Sequence, residues 1–323
     1  MIELKFRLGY VAMTLSLEKC SPSGTVTYAT YSKLKDEKAK GVRLDRVSRL
    51  NIENTLRILK YNRAMGIEVY RLTSKLIPLA THCELEGWKY SIQFSEELKQ
   101  LGDYIKENDF RISAHPDHFT ILNPVKQEVL KASINDLDYH VKLYEAMGLE
   151  DYKYKLVLHV GGLYGDKHSS IERFKENFDK LPDRIKKRII IENDDKSYTA
   201  VDVLQLCKDL GTPMVLDVHH HSCVNNGESL IELLPDIYKT WDGEQLPPKI
   251  HFSSPKSQKE FRSHADFIEY SDFIEFLNIV KAFNRDIDIM LEAKMKDKAL
   301  LDLSDRLKFT EGLVYINKAT FQI

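Results

Sequence analysis

A chain of 323 residues that is 43% hydrophobic can build one large core, and its length suits a single α/β barrel as well as two ordinary domains. With 47 Lys and Arg against 49 Asp and Glu, a formal charge of −2, it has no uniformly basic coat for nucleic acid, so any positive face has to be local. The opening MIELKFRLGYV lacks the basic segment and apolar run of a signal peptide, no window approaches a membrane span, and Cys20, Cys83, Cys207 and Cys223 form no CxxC pair. A cytoplasmic protein without membrane partner, disulfide framework or thiolate zinc site is expected.

In chain order, compact β-rich runs occur at LKFRLGYV (4–11), IEVYRLT (67–73), FRISAH (110–115), KLVLHV (155–160), RIIIEN (188–193), MVLDV (214–218), KIHFS (249–253) and DIMLEA (288–293). Helical stretches separate them. LDRVSRLNIENTLRILKYNRAMG places Val47, Leu50, Asn54, Ile58 and Tyr61 near one stripe, and SEELKQLGDYIKEN opens with Ser95 as its expected cap. The longest connection, 12–44, reads as a surface excursion, and with no repeat or low-complexity segment a single domain over 1–323 is expected. Eight βα units predict a parallel sheet closed into a (β/α)8 TIM barrel, buried on both faces of its strands, with its active site at their C-terminal ends.

Where the polar residues fall gives that end a chemistry. His115 ends the third run, His159 the fourth, Glu192 the fifth and Asp217 the sixth; His251 lies in the seventh and Glu292 closes the eighth. Adding the loops just beyond brings in His82, His264 and one or more of His219, His220 and His221. A single His in a strand is more often a hydrogen-bonded core or surface residue, the reading kept for His118, His140 and His168, and a single carboxylate is more often a helix cap. Six strand ends sharing the feature reverse those odds, because burying that many ionisable groups without a counter-ion is costly. A cation with open positions for water takes roughly three to five protein ligands, so the set suits two to three divalent ions with bridging carboxylates. The ions would outweigh the carboxylates, leaving a pocket for hydroxide and a phosphodiester.

The motifs RLGYVAMT, YRLTSKLIPLATH, ISAHPDHF, LHVGGLYGDKHSSIERF, IIIENDDKSYT, LDVHHHSC, KIHFSSP and SHADFI resemble the UV damage endonuclease family, relatives of endonuclease IV, over residues 4–295, with the tail from about 296 adding nothing. The resemblance implies a metal-dependent, first of all manganese-dependent, endonuclease, with Zn2+, Co2+ or Mg2+ also compatible. It implies incision of damaged double-stranded DNA immediately 5′ of a cyclobutane pyrimidine dimer, 6-4 photoproduct or abasic site, leaving 3′-hydroxyl and 5′-phosphate ends. A monomer needing no protein partner is expected.

Among the three histidines, alternation from Asp217 would turn His219 inward, but the family pattern Asp-x-x-His selects His220. The resemblance also carries ligand roles onto His82, His115, His159, Glu192, Asp217, His251, His264 and Glu292, with Glu192 bridging and Glu192, Lys249 and His251 catalytic. Lys249, two residues before His251, can be carboxylated in this family. His118 and Phe119 take the duplex-probing positions where the family often has Gln-Tyr, and Tyr10 and Thr14, the latter a frequent Asn, would line the lesion pocket. Lys75, Lys256 and Arg262 are expected phosphate contacts, while Lys259 reads as a solvated charge. Two rival functions fit the same barrel: a sugar isomerase or epimerase of the xylose isomerase type, and a metal-loaded damage-binding protein that does not cut.

Overall fold

The computed structural model describes residues 4–323, so the first three residues of the expected 1–323 domain lie outside it. Eight parallel strands close on themselves: β1 (Lys5–Val11), β2 (Val69–Leu72), β3 (Arg111–Ala114), β4 (Lys155–His159), β5 (Ile189–Glu192), β6 (Met214–Asp217), β7 (Lys249–Phe252) and β8 (Ile287–Leu291). β1 pairs with β8 on one side and, through Gly9↔Val69 to Val11↔Arg71, with β2 on the other, which makes this the expected TIM barrel. The principal helices form the outer ring: α1 (Glu37–Ala64), α2 (Ser95–Glu107), α3 (Gln127–Ala146), α4 (Lys167–Asp179), α5 (Ala200–Leu210), α6 (Leu230–Lys239), α7 (Tyr270–Lys281) and α8 (Lys296–Leu307). None of the described helices is long and apolar enough to cross a membrane.

Strand alternation sorts the side chains into two buried populations. Phe6, Leu8, Tyr10, Tyr70, Ile112, Leu156, Ile189, Ile191 and Leu216 pack in the large core that includes the helices. Val157, Ile190 and Val215 turn the other way and form a small separate cluster with Trp241. The glycine of α2 permits close packing on the next unit, since a Cβ on Gly102 would run into the carbonyl oxygen of Met147.

Several local expectations change. Ser95 is the first residue of α2, preceded by the turn Tyr90–Gln93, and makes no side-chain cap. The inner face of α1 carries Leu44, Ser48, Asn51, Ile52, Thr55, Ile58, Leu59 and Asn62, while Leu50 is exposed; buried polar side chains break the apolar stripe there. The helix begins at Glu37, capped by Asp36, so the excursion is shorter than 12–44. It is also tied down: Asn51 holds both polar backbone atoms of Gly24 through hydrogen bonds of 2.8 and 2.9 Å. The tail from 296 supplies α8, the last outer helix, and a hairpin of β9 (Val314–Asn317) and β10 (Thr320–Gln322), whose β10 pairs antiparallel with the start of β1. Leu300, Leu303 and Leu307 bury α8 against the core.

Candidate metal centre

The polar ends of the barrel strands meet at the mouth. His115, His159 and Glu192 each offer a ligand atom within 4.8 Å of the others, and so do Glu192, Asp217, His251 and Glu292; Glu192 belongs to both groups. Its Oε2 lies 3.3 Å from His115 Nε2 and 3.7 Å from His159 Nε2, and its Oε1 2.8 Å from His251 Nδ1. Parallel register explains the meeting, because His159↔Glu192 and Asp217↔His251 are direct partners across neighbouring strands.

The three histidines after β6 separate because the chain leaves the strand at Asp217 and winds into the short helix Val218–Cys223. Asp217 Oδ1 caps this helix by accepting from His220 N at 2.7 Å. Helical rotation then swings His220 to the cluster, its Nδ1 3.7 Å from both Glu192 Oε1 and Asp217 Oδ2. His219 instead packs near Phe261 and His264, and His221 Nε2 meets Glu228 O at 3.0 Å. His264 Nδ1 lies 2.7 Å from the carbonyl oxygen of Glu292 and 4.0 Å from its carboxylate.

The electrostatics are those of a site short of positive charge. Burial by itself pushes the Glu192 carboxyl up, but the neighbouring His251 and His159, with hydrogen bonds from His115 and His251, hold it well below the usual range. Burial drives Asp217 well above that range, with Glu192 and Glu292 reinforcing it against His220. His220 is raised to about 9, burial being outweighed by Asp217 and Glu192, whereas burial takes His159 down to about 4. Burial raises Glu292, yet Arg71 and His251 keep it low. Three buried atoms of the cluster, His251 Nε2, His159 Nδ1 and Asp217 Oδ2, have no hydrogen-bond partner. Nitrogen and oxygen donors grouped around crowded carboxylates, with unused buried donor atoms, are compatible with a divalent cation.

Other expected site residues divide. His82 does not join the cluster: its ring stacks on Tyr28 at 4.1 Å and its Nδ1 accepts from Glu84 N. Tyr10 is not brought to the mouth either, because its position in β1 turns it outward, where its hydroxyl donates to Asn62 of α1 at 2.6 Å. Thr14 is buried as well, so neither side chain lines an open pocket. Phe119 is 56% exposed and His118 stands beside it, ring centroids 5.7 Å apart, on the loop after β3. Lys75, Lys256 and Arg262 are exposed, but Lys256 pairs with Glu260 and Arg262 with Asp195. Lys249 lies inside the barrel, Nζ donating to Ser113 Oγ at 2.6 Å. Its burial, helped by Arg111, lowers the ammonium pKa well below the ordinary value. Gly161, in the GG pair after His159, has φ 115, and a Cβ there would meet Asn123 Oδ1 at 2.3 Å, so the turn requires glycine.

Sequence reasoning missed Arg71, whose Nη1 donates to Glu292 Oε1 at 2.6 Å. Its place in the second run, two residues before Thr73 and on the inward side, was the available signal, since that run has no acid or imidazole at its C-terminal end.

A family model described as UV-endonuclease UvdE matches residues 6–322. The chain belongs to that family. A UV DNA damage endonuclease from Bacillus cereus strain B4264 is 43% identical over 316 residues, covering 98% of this chain and 99% of the relative, and one from Bacillus mycoides strain KBAB4 is also 43% identical over that length. The crystal structure of SacUVDE is 37% identical and covers 94% of this chain and 98% of its own, with a TM-score of 0.83. An L-ribulose 3-epimerase superposes with a TM-score of 0.52 at 13% identity over 75% of this chain and 76% of its own, which shows a shared barrel and nothing of function. The family match runs through α8 and the hairpin, so the tail is part of the family's structure.

Proposed function

We propose that this protein is a divalent-cation-dependent endodeoxyribonuclease, one catalytic barrel domain acting as a monomer in the cytoplasm. It hydrolyses the phosphodiester immediately 5′ of a cyclobutane pyrimidine dimer, 6-4 photoproduct or abasic site in duplex DNA. The products carry 3′-hydroxyl and 5′-phosphate ends and open excision repair. The observation that carries this reading is the membership of Glu192 in both ligand groups, which a bridging carboxylate requires. The names of the similar relatives support the damaged-DNA substrate.

His115, His159 and Glu192 would hold one cation, and Glu192, Asp217, His251 and Glu292 a second. His220 and His264, each turned by a carbonyl oxygen at its Nδ1, would offer Nε2 to a third. Bound ions, Mn2+ first among the candidates, supply the positive charge that acidifies water and steadies the anionic transition state. Glu192 and His251, hydrogen-bonded to each other, form the rigid floor on which the phosphodiester is oriented. Burial lowers the Lys249 ammonium pKa well below its ordinary value and so favours the neutral amine, whose nitrogen would bond the carbon of CO2 and release a proton to solvent, leaving a carbamate anion beneath that floor.

Phe119 with His118 is the wedge that enters the duplex when the lesion leaves the stack. Lys75, Lys256 and Arg262 contact phosphates, the last two after surrendering Glu260 and Asp195. Tyr10 and His82 are left out of these roles because their side chains are committed elsewhere, and Thr14 because its side chain is buried. The test is to strip the protein of metal, restore Mn2+ and incubate it with UV-irradiated and intact supercoiled plasmid. Nicking confined to irradiated plasmid, with ends that a polymerase extends directly, is expected; retained binding without nicking would instead support a damage sensor.

A further inference from the structure

The β5–β6 ladder is short, with register pairs at Ile191↔Met214 and Glu192↔Val215. Asn193 follows immediately and is fully buried. Its side-chain amide takes over where the strand pairing stops. Nδ2 donates to Asp217 O at 3.0 Å, and Oδ1 accepts from Asp217 N at 2.9 Å. The main-chain oxygen of the same residue lies 2.9 Å from His220 Nδ1. One residue adjacent to Glu192 therefore makes three hydrogen bonds to the segment that carries Asp217 and His220.

We infer that Asn193 is a positioning residue for the metal centre, a clamp whose amide fixes the turn from β6 into the His220 helix and so the spacing of Asp217 and His220 from Glu192. The inference deepens the metal-dependent reading proposed above and rests on it.

The chemistry selects this side chain. A peptide unit offers one N–H and one C=O, and the carboxamide is the neutral group that presents the matching acceptor and donor. Aspartate would set an oxygen against Asp217 O, and alanine would leave the buried N–H of Asp217 without a partner. Glutamine carries the same amide one methylene too far. The main-chain contact acts on the other ligand: with the Asn193 oxygen accepting Nδ1–H, the neutral form of His220 carries its lone pair on Nε2. The side chain holds the register in which that main-chain contact and the Asp217 cap on His220 N can coexist.

The test follows free Mn2+ by electron paramagnetic resonance during titration of the metal-stripped protein, with unfolding midpoints recorded in chelator. In Asn193→Ala and in the nearly isosteric Asn193→Asp, affinity for the Mn2+ equivalents that Asp217 and His220 serve should weaken by about 10- to 100-fold while the remaining equivalent stays as in wild type. In a His220→Ala background the same substitutions should cost little further affinity for the equivalent that His220 serves. A titration that superimposes on wild type, even with a lowered unfolding midpoint, would make Asn193 a purely structural residue and overturn the inference. If Asn193→Ala does not fold, Asn193→Asp alone decides between these outcomes. A wild-type chain that binds no Mn2+ at all would end the metal-centre reading, and the clamp with it, a result distinct from an unaffected variant.

Discussion

The two ends of the barrel both bury charge, and they treat it in opposite ways. At the N-terminal end Asp288 accepts from Arg7 Nε at 2.7 Å and Nη2 at 2.6 Å and is also bonded by Arg111; Arg7 reaches Glu68 at 3.2 Å, and Lys155 meets Glu244 at 2.7 Å. Arg111 lies over the Trp241 ring, 5.3 Å from its centroid, and donates to Pro247 O at 2.7 Å. The charges there answer one another, and the Arg7 and Arg111 guanidinium groups outweigh burial to hold Asp288 below the usual carboxylate range. At the mouth three carboxylates crowd together among imidazoles and leave buried atoms unpaired. Buried charge that is internally matched closes a structure, whereas buried charge left unmatched is arranged for something that arrives later.

This contrast is open to breakage at either end. The largest effect is expected for Glu192→Gln, which should reduce nicking of irradiated plasmid by roughly three orders of magnitude or more. Asp217→Asn, which removes the carboxylate that burial, Glu192 and Glu292 disfavour and keeps an oxygen to cap His220 N, should unfold in chelator no earlier than wild type; an early unfolding midpoint would mean that the mouth is as structurally matched as the N-terminal end. Asp288→Asn should do the reverse. Leaving Arg7 and Arg111 without their buried partner should cost about 3–5 kcal/mol in urea unfolding, with the number of bound ions unchanged in the folded fraction.

A third buried group sits in the outer wall. His140 on α3 is driven by burial from 6.5 to about 3, and its Nε2, 4.0 Å from Asp136 Oδ2, has no hydrogen-bond partner. Because the folded value is lowered, the neutral form stabilises the fold fully above pH 6.5, and that contribution is lost as pH falls through 6.5 toward 3. In chelator, going from pH 7.5 to pH 5 should cost on the order of 2 kcal/mol through this residue. His140→Gln should show a shallower fall by that amount, and parallel pH profiles would exonerate the residue. At the rim the effects are smaller in energy. Phe119→Ala should reduce the preference for damaged over intact duplex by roughly 5- to 100-fold without altering metal content. Arg262→Ala should lower the salt dependence of DNA binding by about one counter-ion or less, since Asp195 already occupies the guanidinium.

Much of this is legible in the chain alone. The eight runs reappear as the barrel strands, and the acids and imidazoles at their ends meet at one mouth. A period of two transmits inward or outward direction faithfully over four or five residues, which is why His115, His159, Glu192, Asp217 and His251 can be read together. Where the backbone leaves the strand that reading fails. Alternation points to His219, and the helical turn at Val218 turns His220 in instead, as the family pattern requires. His82 is placed by resemblance alone, and its loop delivers the ring to Tyr28. Leu50 looks apolar and central on its helix, yet α1 buries Asn51 and Asn62 because the excursion and β1 offer polar groups to bind, and Thr55 because its hydroxyl donates to Asn51 O within the helix.

Local pattern, then, determined the architecture and the end of the barrel at which chemistry gathers, because periodicity and burial are carried by near neighbours in the chain. The tertiary structure decided which atoms meet: Arg71 with Glu292 across 221 positions, Lys249 with Ser113 across 136 and Asn193 with Asp217 across 24. Hydrogen bonds depend on ångströms and angles between groups far apart in sequence, and only the closure of the barrel sets those.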